Sequence, residues 1–193
     1  MRPRPTTDPD LSLPAGRPVP RPRDPAHWLA IGRALLAWAR REWSLVPGAD
    51  TLAVGWTTAP GLEGRRFVGA SRTLRALAWL PTPAPHLQAP RSNAQFLDHA
   101  EQDVANAFID AVEGARTHSR THSSGLEGEA LYIFLSHASG PCAACAQGLH
   151  ERQVEPGVLS ALSRRYPGLT VVVAWEAAGR LRHLMLQDGL RLH

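Results

Sequence analysis

The chain has 193 residues, 44% of them hydrophobic, and its 21 basic residues, all Arg, outweigh 17 acidic ones for a formal charge of +4. That length suits one domain with a tail, and no apolar run reaches the roughly 18 residues that a membrane-spanning helix needs. Two cysteines cannot build a disulfide framework, and an all-Arg complement suits phosphates and stacked bases, although the codon bias of a GC-rich genome produces the same composition.

Residues 1–25 are rich in Pro and Arg and almost devoid of apolar side chains, which predicts a flexible or polyproline-like linker. With no apolar h-region, no secretory signal is expected there. A folded domain over 26–193 then begins with a helix at 26–44, where Trp28, Ile31, Leu35, Ala39 and Trp43 recur at helical steps. The Arg residues on its other side read either as a solvated face or as a nucleic-acid contact.

Residues 51–57 and 65–71 predict a hairpin around Pro60, Gly61 and Gly64. A short helix over 72–80 is expected next, then a loop at 81–95 carrying four prolines, of the kind that shapes the entrance to a site. Residues 97–113 predict a helix with Asp98 near its N-cap. The polar stretch 114–129, with its Arg-Thr-His-Ser tandem, predicts a mobile loop. His118 and His122 have a metal-like spacing, but solvated loop residues are the simpler reading.

Residues 130–136 predict a strand at the centre of a sheet, because the run is apolar throughout. A helix is expected to open at Pro141, its N-terminal dipole favouring thiolates at Cys142 and Cys145. A helix at 157–166 and strands at 169–175 and 180–187 complete an α/β arrangement around one sheet.

The chemistry concentrates at His99, Glu101, Cys142 and Cys145. Cys-x-x-C alone reads as a metal pair or as a thioredoxin-like redox pair. With one His added, the set provides three ligands for a single zinc ion and leaves a fourth position for water. His137 as a fourth ligand would close the site. Glu101, two residues after His99, is placed to move protons around that water. The pattern H-x-E…P-C-x-x-C is a signature of zinc nucleobase deaminases.

These motifs resemble the cytidine deaminase-like superfamily, and most of all the deaminase domains of bacterial polymorphic toxins. Three features carry the resemblance over roughly residues 50–190: HAE at 99–101, LYIFLSH leading to PCAAC at 141–145, and LSALSRRYPGLTVVVAW further on. The resemblance implies a three-layer sandwich whose five-stranded mixed sheet ends in an antiparallel pair, with helices on both faces. It implies His99, Cys142 and Cys145 as zinc ligands and Glu101 as the proton shuttle. The backbone amides near Ala100 and Cys142 would hold the base's carbonyl and the region of the zinc-bound water, Pro141 would also contact the substrate, and Asn93 and Trp56 would flank the pocket.

The expected activity is conversion of C to U in DNA, single-stranded first and double-stranded second, with the base unpaired or flipped out. RNA or free cytidine is the alternative substrate, and a non-catalytic zinc-stabilised binding or redox module is the alternative of another class. By resemblance, such a domain ends a larger secreted toxin that acts in the target-cell cytoplasm, and it has a cognate immunity protein.

Overall fold

The structure, a computed structural model, describes residues 25–45, 51–78, 80, 82–90, 99–118, 126–149 and 154–192. The Pro/Arg-rich segment ahead of residue 25 lies outside the described residues, as do Asn93, Asp98 and His122. In chain order the elements are α1 (Pro25–Glu42), β1 (Leu52–Thr57), β2 (Arg66–Ala70), α2 (Arg72–Ala78), α3 (Ala100–His118), β3 (Ala130–Leu135), α4 (Val158–Arg165), β4 (Thr170–Ala177), β5 (Arg180–Gln187) and β6 (Leu190–Leu192).

The strands form one mixed sheet in the order β2-β1-β3-β4-β5-β6. Only β3 and β4 run parallel; the other neighbours are antiparallel. The central place expected for the apolar run at 130–136 is the one β3 holds. The sheet has one strand more than the five expected. The sixth is the three-residue β6, reached from β5 through Asp188 and Gly189, both at positive φ (52° and 81°). Asp-Gly suits the tight hairpin turn that matches strand twist, but three residues carry too little alternation to announce a strand.

Helices cover both faces of this sheet. Along β3, Leu131, Ile133 and Leu135 point into a core with Val104, Phe108 and Ile109 of α3 and Leu159 and Leu162 of α4. Tyr132 and Phe134 point the other way, into a core with Trp28, Leu35, Leu36 and Ala39 of α1. The alternation follows from the two-residue period of a strand. Gly32 lets α1 lie close to the sheet: a Cβ there would meet the ring of Phe134.

Two boundaries differ from expectation. The helix carrying Glu101 continues to His118, so Arg116, Thr117 and His118 of the tandem prolong α3 rather than starting a loop. After Pro141, residues 143–148 form turns and no helix. Among the described residues one helical-type bond is made there, Ala146 N to Cys142 O (3.0 Å). The chain turns away at Gly148 (φ 76°).

Candidate metal centre

The carboxyl end of β3 positions the site, which is where open α/β sheets place their ligands. Ser136 is clamped to the start of β1: its backbone N–H donates to Leu52 O and its Oγ accepts from Leu52 N, both at 2.9 Å. The chain then bends in a turn closed by Gly140 N donating to His137 O (3.1 Å). Gly140 has φ 78° and its α-carbon lies against the Trp175 ring, so only glycine fits.

The Cys142–Cys145 loop is next fastened to α4. Leu159 N donates to Cys145 O (3.2 Å) and Gly157 N to Gln147 O (2.8 Å). These bonds satisfy backbone groups around the start of the helix that its own turns leave open. A side chain at Gly157 would collide with the carbonyls of Ala144 and Cys145.

His99 and Glu101 arrive from the start of α3. The His99 carbonyl accepts from Asp103 N (3.1 Å), placing His99 at the head of the helix and Glu101 in its first turn. In mid-helix, side chains two apart diverge; here, at the terminus, both reach the cysteine loop. His99 Nδ1 lies 3.0 Å from Cys142 Sγ. Cys142 N donates to Glu101 Oε1 (3.0 Å) and Cys145 N to Cys142 Sγ (3.3 Å). One ligand atom from each of His99, Glu101, Cys142 and Cys145 lies within 4.8 Å of the others, so the group could hold a metal ion. A set of one imidazole, two thiols and a carboxylate is compatible with zinc.

The head of α3 is itself held in place by residues that the motif does not include. Asp103 pairs with Arg75 of α2, both side chains being largely buried, and its Oδ2 accepts from Ala70 N (3.1 Å). Gly69 on β2 touches the Ala100 carbonyl and the Asp103 side chain, and a Cβ there would overlap that carbonyl. A glycine inside a strand marks such a close backbone approach, and it was the one available signal. Further along α3, Gln102, Asn106 and Asp110 stand at four-residue intervals. They accept from Ala89 N, Leu87 N and Ala84 N at 2.8, 2.8 and 3.2 Å. The proline-rich loop is thereby strapped along one face of the helix.

The metal-ligand group opens into a cleft of about 610 Å³, within the range of small-molecule sites. Ala100 and Pro141 line it, and so do Thr51, His137 and Ser139. His137 lies outside the ligand group; its Nδ1 is 2.6 Å from Ser139 Oγ. Trp56 does not join the cleft. It is 4% exposed in the α1-side core, stacked on Tyr132 with ring centroids 5.2 Å apart. Both faces of β1 are covered, so a tryptophan there has no face left for a base.

Burial raises the pKa of Glu101, and the negative charge of Cys142 raises it further. Cys142 is brought down to about 4 by hydrogen bonding from Cys145, with His99 assisting. Cys145 is pushed well above the ordinary thiol range by its bond to Cys142 and by burial. The thiolate at Cys142 thus owes its stabilisation to these neighbours, where a helix dipole had been expected. In the metal-free protein, iodoacetamide should label Cys142 at a rate already flat near neutral pH and spare Cys145. Peptide mass spectrometry checks this. Equal labelling, or a rate rising through about 8.5 as for a free thiol, would contradict it.

Compared with models of known families, with curated proteins and with solved structures, the chain matches none.

Proposed function

We propose that this protein is a zinc-dependent cytosine deaminase acting on DNA, hydrolysing C to U with loss of ammonia. The observation that carries the reading is the convergence of His99, Glu101, Cys142 and Cys145, the first three of which line one cleft. Their two segments, 41 residues apart from Glu101 to Cys142, are tied together by the bond between Glu101 and the Cys142 amide. A redox Cys-x-x-C needs neither the His nor the Glu. The layering of helices on both faces and the antiparallel β4–β5 pair also agree with the deaminase-like sandwich.

In this reading His99, Cys142 and Cys145 hold the ion, one per chain. A zinc ion held by these three residues would supply Lewis acidity for activating water. The chain's own residues do the rest. Glu101 takes a proton from the attacking water onto its carboxylate and passes it to the ring nitrogen beside the reacting carbon. It then assists departure of the amino group as ammonia. A carboxylate of raised pKa suits both directions of that transfer. Pro141, Ala100 and the turn at Gly140 shape the wall on which the base rests. Glu101, only 3% exposed, works away from bulk solvent.

Single-stranded DNA is the first substrate, since an unpaired base costs no unstacking of a duplex. By the same resemblance, the domain is the toxic end of a larger secreted bacterial protein, works in the target-cell cytoplasm and is restrained by an immunity protein. Free cytidine or RNA is the second reading.

The test uses zinc-loaded protein and a labelled single-stranded oligonucleotide with one cytosine. Treatment with uracil glycosylase and alkali should cut the strand at that position. An intact strand, alongside turnover of free cytidine, would replace DNA by the nucleoside as substrate.

A further inference from the structure

The metal cleft has a smaller neighbour of about 210 Å³, lined by Arg33, Leu36, Arg40, Phe134, Ser136 and Glu176. Ser136 lines this second cleft and the next residue, His137, lines the first. Consecutive Cα atoms stand about 3.8 Å apart, so the two spaces are divided by one strand end. Thr51, beside the Leu52 that clamps Ser136, lines the metal cleft on its side of the divide.

The second cleft is lined by two guanidinium groups and one carboxylate. Arg33 is engaged at two nitrogens by Glu176, at 2.9 and 2.5 Å. Arg40, two helical turns further along α1, is half-buried and has no ion-pair partner among the described residues. Arginine's fork fits phosphate as it fits carboxylate. An exposed Arg–Glu pair is held weakly, so an incoming phosphate can compete with Glu176 for Arg33.

We propose that this cleft is a phosphate subsite, taking the backbone phosphate next to the base held at the metal centre. Arg40 is its standing contact, and Glu176 is an internal competitor that occupies Arg33 until phosphate arrives. The ligand chemistry is a phosphate ester; the source we assign is a polynucleotide rather than a free nucleotide. The assignment of the ligand rests on the nucleobase-deaminase reading.

The experiment is equilibrium binding of a labelled single-stranded deoxyoligonucleotide to the full chain by fluorescence anisotropy, across a salt series. Arg40→Ala and Glu176→Gln are compared with the unaltered protein, and deoxycytidine monophosphate serves as the competitor arm. Arg40→Ala should weaken binding about three- to tenfold and flatten the slope of log affinity against log salt by about 0.7. Glu176→Gln should tighten binding about threefold by releasing Arg33.

Binding indifferent to both changes, weakening in Glu176→Gln, or no binding of the oligonucleotide at all would overturn the subsite. A monophosphate that competes as tightly as the unlabelled oligonucleotide, with the same response to both variants, would overturn the polynucleotide source. Uracil formation is scored separately. Uracil without any response to Arg40 or Glu176 removes the subsite and keeps the deaminase. The expected binding pattern without uracil keeps the subsite and removes the deaminase.

Discussion

Glu101→Gln should lower kcat about 10²–10⁴-fold, the usual worth of a positioned general acid–base, while the protein keeps its metal. Gln retains an oxygen to accept from Cys142 N, as Glu101 Oε1 does at 3.0 Å, and keeps the side chain's shape; it loses the negative charge and the ability to take up and release a proton. Metal analysis beside steady-state kinetics separates the two roles open to Glu101, which belongs to the group able to hold an ion. If the Gln variant loses metal along with turnover, Glu101 is a fourth ligand and the site is closed. A variant that turns over near the original rate would remove Glu101 from the proton path.

The same substitution has a pH-dependent effect on the metal-free protein. The folded-state pKa of Glu101 is raised, mainly by burial, so the folded state binds the proton more tightly than the unfolded chain does. The stability associated with this group is fully present below the ordinary carboxylate pKa and is lost as pH rises through the raised value. Glu101→Gln removes that loss. Urea melts of the metal-free pair should therefore agree in acid and separate near neutral pH, with the Gln variant the more stable. The opposite order would mean that the carboxylate is stabilised where it sits.

Gly69→Ala should abolish most activity although residue 69 touches neither metal ligand nor substrate. The added Cβ would overlap the Ala100 carbonyl, and the backbone there cannot swing aside as a side chain could. The head of α3 has to lift from β2, and His99 and Glu101 lift with it. Overpacking of this kind costs about 1–3 kcal/mol, and a displacement of about 1 Å can cost about a hundredfold in rate. Gly114→Ala, in the same helix, is the control. Nothing lies within 4 Å of a Cβ at Gly114, so that change should stabilise by about 0.5–1 kcal/mol. Thermal melts and metal content read both. If Gly69→Ala leaves metal affinity and turnover intact, the close approach of β2 to α3 does not position the site.

The metal group was legible because each half carries its own local signal: a His and a Glu at a helix start, and a Cys pair after an apolar strand. What joins the halves was not. Asp103 and Arg75 belong to no motif in the sequence, and only their burial against Ala70 shows that they anchor α3. Pro141 suggested a helix, but the loop spends its carbonyls on the start of α4, and Gly148 turns it away. Trp56 was misplaced for a related reason. Every residue of β1 is buried, so the strand has no solvent face, and periodicity within it could not tell which core each side chain enters.

The most direct test of the central claim is to sequence a mixed pool of single-stranded DNA, duplex DNA and RNA after incubation with the zinc-loaded protein. The Glu101→Gln variant runs alongside as control. The account predicts C-to-T changes in the single-stranded DNA, absent from the control. No change in any nucleic acid, with zinc bound at one per chain, would contradict it.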